Sequence, residues 1–362
     1  MDKNTPANVA PVDTYLEALK NFPKLPDAPV PADEHTADGW CGPESQPDNV
    51  KEQEDVVIDL GPQRHLHFMS RAYDHFTDEF PRPIYIRTQK VMNRASAIVL
   101  YDGRVPLQMN SSILDASTGP FLTAVKGPES ASSYTSFVPC SSTEQAISVT
   151  IDWTSIFAPG NSSPQYGFRR TELIAQKGGS TTTLNDEIDT GVSVYHFSIK
   201  ADETRPLNYT HEYQVVFIEP NDGSHVFGLQ LGSPFTIPTA KVPAPSASSF
   251  KVLDHDLNVL FATYFTEGTW HNFAIEVDWE NLTLKVFYSM NNAPLEAVTD
   301  AMPNTSAGAG VVGDFHFGIL KLPLVNPLDS ATQQVDVVHY GLQEGSLEGL
   351  IYSGVFVERG PL

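Results

Sequence analysis

The stretch that decides the fold is residues 166–220, which contains YGFRRTELIAQ (166–176), VYHFSIK (194–200) and HEYQVVFIEP (211–220). Polar and apolar residues alternate in each segment, and a period of two places successive side chains on opposite faces of a β-strand. If the segments are successive antiparallel strands of one sheet, one face is apolar and packs against a core. The other face then gathers the polar side chains Arg170, Glu172, His196, Ser198, Glu212 and Gln214.

Short strand-like segments continue to the C-terminus, beginning at Ser96 and separated by turn residues rather than by long helical patterns. Such spacing is typical of an all-β protein. It predicts a β-jelly roll, that is, a two-sheet sandwich with a concave substrate cleft. Within it, residues 270–289 (WHNFAIEVDWENLTLKVFYS) predict a hairpin of core strands, because apolar side chains recur at every second position on both sides of a polar turn.

The first part of the chain has a different composition. Residues 1–92 are rich in proline and acidic residues and contain few alternating segments. We therefore interpret them as an irregular N-terminal extension and assign residues 93–362 to the β-domain. The pair His65 and His67 has no carboxylates at ligand spacing, and a solvated turn explains it better than a metal site. We expect neither a metal nor another cofactor.

The charge balance limits the possible partners. The chain has 44 acidic and 22 basic residues and a formal net charge of −22. This charge opposes binding to nucleic acid or to an anionic membrane, because both require a positive field, whereas a neutral polysaccharide is indifferent to it. Hydrophobic residues make up 41%, and no apolar run reaches the length of a membrane span. We expect a globular monomer.

The two glutamates of the polar face suit glycosidic bond hydrolysis. That reaction requires one carboxylic acid to protonate the leaving oxygen and a second carboxylate to act as base or nucleophile. Glu172 and Glu212 supply this pair if they share a face, and the alternative is that both are ordinary glutamates on solvated strands. The sequence contains no Walker loop and no GxGxxG, GxSxG or HExxH motif, which argues against nucleotide binding and the common hydrolase triads.

Three further residues of the predicted polar face are candidates for substrate binding. Arg170, two residues before Glu172, could lower the pKa of a carboxyl group or bind a sugar hydroxyl, and its alternative role is a structural ion pair. His196 and Gln214 share this face. The other strand histidines are better explained as structural: His211, His271 and His316.

Two candidates lie outside these segments. Lys321 ends a predicted strand and could reach the rim of the cleft, although an exposed lysine is the simpler explanation. Trp270 could stack against a sugar ring, as could Trp153 and Tyr264, and core packing is the alternative for each.

Several segments, in their order along the chain, resemble the fungal glycoside hydrolase family 131: LYDGR, FRRTELIAQ, VYHFSIK, EYQVVFIE, TWHNFAIEVDW and HFGILKLP. The similarity spans about residues 96–358 and is strongest at RRTEL. The resemblance implies a β-jelly roll with β-glucanase activity on β-1,3-, β-1,6- and β-1,4-glucans. The paired glutamates of the family fall on Glu172 in RRTE and Glu212 in HEYQ, which implies that these two residues are catalytic.

Two other functions remain open. Jelly-roll polysaccharide lyases use a similar cleft with an Arg-x-Glu strand, but their uronate substrates favour a basic cleft, and the net charge of −22 opposes this. A non-catalytic glucan-binding lectin would use the same cleft without cleaving. For the leading hypothesis, hydrolysis of a neutral β-glucan, we favour an inverting mechanism. The sequence does not fix the linkage or the choice between exo and endo attack.

The sequence gives opposing indications of location. Five Asn-x-Ser/Thr sequons and the family resemblance favour a secreted glycoprotein. The N-terminal residues MDKNTPANVAPVDTYLEALKNFPKLP show no basic segment followed by an apolar one, so we expect no signal peptide in this chain, and a cytoplasmic location is the alternative. Cys41 and Cys140 are compatible with one disulfide and equally with two free thiols.

Overall fold

Two antiparallel β-sheets form the fold in the computed structural model, which describes residues 98–160, 162–240 and 243–362. The larger sheet has ten strands, numbered in chain order: β1 (Val99–Asp102), β2 (Val105–Pro106), β4 (Thr135–Pro139), β5 (Glu144–Ile151), β7 (Val192–Ala201), β12 (His271–Asp278), β13 (Thr283–Met290), β14 (Glu296–Ala297), β15 (Met302–Pro303) and β17 (Glu348–Arg359). Its main path is β14-β13-β12-β7-β17-β5-β2, with β1 beside β17, β15 beside β13 and β4 beside β5.

The smaller sheet has seven strands in the spatial order β11-β10-β9-β8-β16-β6-β3. Their bounds are β3 (Phe121–Val125), β6 (Arg169–Ala175), β8 (Glu212–Pro220), β9 (Phe227–Gly232), β10 (Ser249–Asp254), β11 (Val259–Tyr264) and β16 (Gly313–Lys321). The two sheets confirm the predicted all-β sandwich. Each sheet has an inner face, which packs against the other sheet, and an outer face.

The core lies between the two inner faces, where alternate apolar residues of each strand meet. Tyr195 of β7 contacts Phe315 of β16 edge to face at 5.0 Å between ring centroids, and Phe317 lies 6.0 Å from Tyr352 of β17. All four side chains are at most 1% exposed. Truncating one of these rings to alanine would cost about 3–5 kcal/mol, since the surrounding sheets cannot collapse into the cavity.

The predicted hairpin of residues 270–289 is confirmed as β12 and β13. Phe273 pairs with Tyr288, Ile275 with Val286 and Val277 with Leu284. The turn places Leu282 at a φ of 53°, outside the paired strands. This hairpin belongs to the ten-stranded sheet, where β12 also pairs with β7.

The prediction that residues 166–220 form three neighbouring strands of one sheet is wrong for the middle segment. Strands β6 and β8 lie in the seven-stranded sheet, but β7 lies in the ten-stranded sheet, between β12 and β17. The chain therefore changes sheets twice within this stretch. Alternation shows which residues of a strand share a face, but it carries no information about which sheet the strand joins.

Three short helices connect the strands: α1 (Ser112–Ala116), α2 (Thr181–Ile188) and α3 (Ala331–Val335). Helix α2 lies in the connection from β6 to β7, and the hydroxyl of Ser180 accepts a hydrogen bond from the N–H of Thr183 to cap it. Its Leu184 and Ile188 are fully buried, which fixes the crossing between the sheets. Among the described residues, no helix has the length and apolarity needed to span a bilayer.

The predicted N-terminal extension, residues 1–92, lies outside the described residues, as do His65, His67 and Cys41. Its boundary and the pairing of Cys140 with Cys41 therefore remain predictions.

Candidate active site

Four of the predicted site residues lie together on the outer face of the seven-stranded sheet. Arg170 and Glu172 come from β6, and Glu212 and Gln214 come from β8. Strand β16 runs between these two strands, so that its Leu320 pairs with Arg170 on one side and with Gln214 on the other. In its pairing with β9, a β-bulge in β8 lets Val215 and Val216 both face the core, while the polar residues before it keep their outward direction.

Arg170 and Glu172 form a bidentate ion pair. Nε of Arg170 donates to Oε1 of Glu172 at 2.7 Å, and Nη2 donates to Oε2 at 2.8 Å. The side chains are 8% and 0% exposed. Burial by itself would raise the pKa of Glu172, but the charge of Arg170 and the hydrogen bonds from His316 and Arg170 outweigh burial and lower it to about 2. Glu172 is therefore a carboxylate at any physiological pH.

His316 of β16 also contacts Glu172, which the sequence analysis did not anticipate. Its Nδ1 lies 2.7 Å from Oε2 of Glu172 and is the donor, because an ionised carboxylate can only accept. The imidazole stacks on Phe217 at 4.9 Å, and Phe217 stacks on His225 at 4.3 Å. Burial first, and then the charge of His316, lowers the pKa of His225 to about 4. These contacts orient the imidazole of His316.

Glu219, near the end of β8, adds a third carboxyl group. Its Oε2 lies 3.7 Å from Nη2 of Arg170, and its side chain is 28% exposed. Burial raises the pKa of Glu219 above its usual value. Glu172, Glu219 and His316 present possible metal-ligand atoms within 4.8 Å of one another. The guanidinium of Arg170 already binds both oxygens of Glu172, however, and its positive charge opposes a cation at this position.

Glu212 is held by two donors. Nε2 of Gln214 donates to its Oε1 at 3.0 Å, and the backbone N–H of Phe235 donates to its Oε2 at 2.8 Å. Unlike Glu172, Glu212 is partly exposed. Lys251 of β10 lies near enough for the charge of Glu212 to favour its ammonium form, although burial is the larger effect and lowers the pKa of Lys251 overall.

A glycine occupies the outer face between the two strands that carry the glutamates. Gly318 of β16 pairs with Glu172, at a φ of 154°. A Cβ atom built on Gly318 would lie 2.3 Å from the carbonyl oxygen of Thr171 and 2.7 Å from Cα of Glu172. No side chain can therefore fill this position, and the backbone itself forms the floor between β6 and β8. The two strands are two spacings apart, which is about 10 Å.

His196 does not belong to this site, which corrects the prediction. It lies on β7 of the ten-stranded sheet, is 0% exposed and places Nε2 3.1 Å from Oε1 of Glu358. Its imidazole stacks on Phe356 at 4.2 Å. Since Tyr195 and Phe197 on either side of it face the core, His196 faces the opposite, outer side of that sheet.

Lys321 is also placed away from the predicted cleft rim. Its Nζ donates to Oε1 of Glu348 at 2.7 Å, and the side chain is 1% exposed. The hydroxyl of Tyr213 donates to the other oxygen of Glu348 at 2.6 Å. Lys321 occupies the same parity on β16 as the core residues Phe317 and Ile319, which is why it points between the sheets.

The three aromatic residues that were predicted to stack against sugar rings differ in exposure. Trp270 directly precedes β12 in the ten-stranded sheet and is 5% exposed, so core packing rather than sugar stacking explains it. Trp153 lies in the loop after β5 and is largely exposed. Tyr264 ends β11, the edge strand of the seven-stranded sheet, and is 62% exposed.

Comparison with known proteins agrees with this arrangement. The family model for the glycoside hydrolase 131 catalytic N-terminal domain matches residues 99–361. Among solved structures, the catalytic domain of a family 131 β-glucanase from Podospora anserina is 24% identical, with a TM-score of 0.55, 73% of this chain covered and 97% of that chain. The catalytic domain of the family 131 protein from Coprinopsis cinerea is 26% identical, with a TM-score of 0.54 and coverages of 73% and 96%. A search of the curated proteins found no match.

The matched segment includes every described strand. The sandwich is the fold that the two solved catalytic domains share. The resemblance inferred from RRTEL and the other segments is confirmed. This chain therefore belongs to glycoside hydrolase family 131, and residues 99–361 are its catalytic domain.

Proposed function

We propose that this enzyme hydrolyses the glucosidic bonds of neutral β-glucans, with Glu212 as the proton donor and Glu172 as its permanently ionised partner. The observation that carries the proposal is the environment of Glu172, where Arg170 and His316 hold a buried carboxylate opposite Glu212 on one sheet face. The β-1,3-, β-1,6- and β-1,4-linked glucans are the substrate class, and the description of the Podospora anserina relative as a β-glucanase supports the β-glucan part of this proposal.

The chemistry divides between the two glutamates. Glu212 protonates the glycosidic oxygen, the bond from that oxygen to the anomeric carbon breaks, and positive charge develops on the sugar ring. The negative charge of Glu172 is fixed before the reaction begins and stabilises this cation-like transition state without reorganisation. A water molecule then adds to the anomeric carbon and gives up a proton to the solvent, and Glu212 takes a proton back from the solvent, so that the enzyme returns to its starting state. Glu212 is partly exposed and can reach a substrate oxygen.

The spacing of the strands supports an inverting mechanism. The strands that carry Glu172 and Glu212 are separated by β16, a lateral distance of about 10 Å. Along β16, Glu172 lies beside Gly318, whereas the carbonyl oxygen of Glu212 accepts from the N–H of Leu322, about 13 Å further along the strand, so the main-chain positions of the two glutamates are far apart. Inverting glycosidases hold their carboxyl groups about 6.5–9.5 Å apart to admit a water molecule, whereas retaining enzymes need about 5–5.5 Å. We therefore propose that the first product has the anomeric configuration opposite to that of the substrate.

The structure also argues against the lyase alternative. A lyase must neutralise the carboxylate of a uronate, and Arg170 is the cation beside Glu172 that would do so. Both of its carboxylate-facing nitrogens already bind Glu172, and Glu219 lies 3.7 Å away. A uronate entering here would meet two glutamates and a guanidinium that is already paired.

The products test the proposal. Laminarin-type and cellulosic glucans should yield saturated glucose or short oligosaccharides, and the anomer formed first can be followed by proton NMR. Alginate or glucuronan should give no ultraviolet absorbance, because β-elimination alone creates an unsaturated ring. A rise in absorbance on a polyuronate with no release from neutral glucan would reverse the assignment. Glucan binding without turnover would favour the lectin alternative.

We also propose that the enzyme is secreted and acts as a monomer. The sequon of Asn281 lies in the turn between β12 and β13, and its asparagine is exposed. Size-exclusion chromatography with light scattering tests the monomer, and detection of the native protein outside its cells tests the location.

A further inference from the structure

Strand β9 has an unusual outer face. Its sequence FGLQLG sends Phe227, Leu229 and Leu231 into the core, so the outer positions are Gly228, Gln230 and Gly232. Gln230 is the one side chain on this face of the strand, because the positions before and after it are glycines. Gly232 pairs with Glu212, the proposed proton donor, and the carbonyl oxygen of His211 occupies the place that a Cβ of Gly232 would take.

Three polar residues stand side by side across neighbouring strands on this face. Gln214 of β8 pairs with Gln230 of β9, and Gln230 pairs with Lys251 of β10. The row leads from the proposed catalytic pair towards the free edge of the sheet. Gln230 is 9% exposed and Lys251 is 8% exposed, so both are more than nine-tenths buried.

The buried polar groups of this row have donors to spare. Nζ of Lys251 donates to the carbonyl oxygen of Gly232 at 2.9 Å, which uses one of the three N–H groups of an ammonium. The side-chain amide of Gln230 makes no hydrogen bond within residues 98–160, 162–240 and 243–362. These donors, which no described residue uses, are available to a ligand on the sheet face that carries Glu212.

An exposed aromatic ring ends the row. Tyr264 of β11 pairs with Ser249 of β10, which lies on the same face of β10 as Lys251. The neighbouring residues Phe261 and Thr263 contact Tyr288 on the inner face. Tyr264 therefore lies on the outer face with Lys251. Its side chain is 62% exposed. An exposed tyrosine at the end of a polar groove presents its ring face to a ligand.

We propose that Gln230, Lys251 and Tyr264 form a glucan-binding subsite that extends the substrate from Glu212 to the edge strand β11. The amide and the ammonium donate to sugar hydroxyls, and the tyrosine ring packs against the apolar face of a glucosyl unit. This subsite rests on the proposed function and specifies that the enzyme binds an extended chain. From β6 to β11 the face spans five strand spacings, about 24 Å, which is long enough for several sugar units.

The ammonium of Lys251 can bind a neutral sugar. Its Nζ uses one N–H group for the carbonyl oxygen of Gly232, and the remaining N–H groups can donate to sugar hydroxyls while that hydrogen bond stays in place.

The test measures binding directly. Isothermal titration calorimetry is carried out on the full chain carrying Glu172→Gln, with a β-glucan hexasaccharide and the matching disaccharide as ligands. Adding Tyr264→Ala should weaken hexasaccharide binding about tenfold, the factor for losing one aromatic stacking contact, and Gln230→Ala should weaken it about threefold to tenfold. Lys251→Met should act in the same direction. The matched control is Lys285→Met on the ten-stranded sheet, which should leave both affinities unchanged.

The outcomes separate this proposal from the proposed function. Unchanged hexasaccharide affinity in Tyr264→Ala and Gln230→Ala overturns the subsite, and equal weakening of the disaccharide would show that these residues do not extend the site. Tyr264→Trp should keep the affinity, which excludes misfolding as the cause. If alginate oligomers bind more tightly than glucan and this binding depends on Lys251, the proposal that the subsite takes a neutral sugar is wrong. If the parent binds no glucan at all, the proposed function itself fails.

Discussion

Glu172 accepts two hydrogen bonds, at 2.7 and 2.8 Å, from the guanidinium of Arg170, which lies two positions before it on the same strand. The pair is sealed between β3, β16 and the loop after β5, where Gln165 accepts a further hydrogen bond from Nη1 of Arg170 at 3.2 Å. A buried pair of this kind adds little net stability when complete, but removing one partner leaves an uncompensated charge. With the catalytic role proposed for Glu172, a substitution there is expected to change both activity and stability.

The two glutamates should respond differently to the same substitution. Glu172→Gln should abolish release of reducing sugar and lower the free energy of unfolding by about 3 kcal/mol, because Arg170 is left with a neutral partner. Glu212→Gln should abolish activity while changing stability by about 1 kcal/mol or less, since its carboxyl is partly exposed. Glu296→Gln on the exposed strand β14 is the control. Retention of a tenth of the parent activity removes that glutamate from the catalytic pair.

Asp189 should make stability depend on pH. Burial chiefly, and then the charges of Asp314 and Asp186, raise its pKa from 3.8 to about 7, against the opposing hydrogen bonds from Gly313 and Tyr195. The folded state thus binds the proton more tightly, so this contribution to stability is complete below pH 3.8 and is lost as the pH rises through about 7.

Asp189→Asn mimics the protonated carboxyl group and tests this directly. The variant should gain stability relative to the parent at pH 8 and lose that advantage at pH 4, as measured by chemical denaturation. An equal difference between the two proteins at both pH values would contradict the assignment of the titration to Asp189.

Lys321 should prove structural rather than substrate-binding. Lys321→Met leaves Glu348 buried without its cation and should cost about 3–5 kcal/mol of stability. Adding Glu348→Gln to this variant should recover part of the loss. A double-mutant cycle gives the coupling. A large rise in KM for glucan with unchanged unfolding would instead restore the predicted role at the cleft rim.

Deleting residues 1–90 should leave a folded and active enzyme. The extension lacks the alternation that a core strand requires, and the described strands already form both sheets. Circular dichroism, the unfolding midpoint and release of sugar from glucan provide the comparison with the full chain. Insolubility of the shortened protein would show that the extension supplies part of the fold.

The sequons should differ in glycan occupancy when the protein is produced through a secretory pathway. Asn281 is exposed in its turn, whereas Asn304 is 4% exposed and its Nδ2 donates to the carbonyl oxygen of Val226 at 2.9 Å. Mass spectrometry of glycopeptides should find a glycan on Asn281 and none on Asn304. A fully occupied Asn304 would conflict with the packing at this position.

The alternation of polar and apolar residues predicted much of the fold and about half of the candidate site residues. The β12–β13 hairpin follows from alternation across a short turn, and alternation also placed Arg170, Glu172 and Glu212 on outward positions. The sequence could not predict which sheet β7 joins, because a strand with the same alternation fits either sheet. His196 was assigned to the wrong sheet for that reason.

Other features depended on contacts between distant parts of the chain. His316 is 144 residues from Glu172, and only the pairing of β16 with β6 brings them together. The inward direction of Lys321, in contrast, was readable from its parity with Phe317 and Ile319. The burial of Glu172 was not, because a strand with polar residues on one face is normally solvated there.

The bare backbone of Gly318 has a consequence for how this enzyme could evolve or be redesigned. Because the main chain fills the place of a side chain there, the position of Glu172 on β6 is fixed directly against the backbone of β16. Even one methyl group at residue 318 would force β16 and β6 apart, since its Cβ would overlap the main chain of Thr171 and Glu172. We therefore expect substitutions that change specificity to be tolerated more readily along the β9–β11 side of the face than at residue 318 beside Glu172.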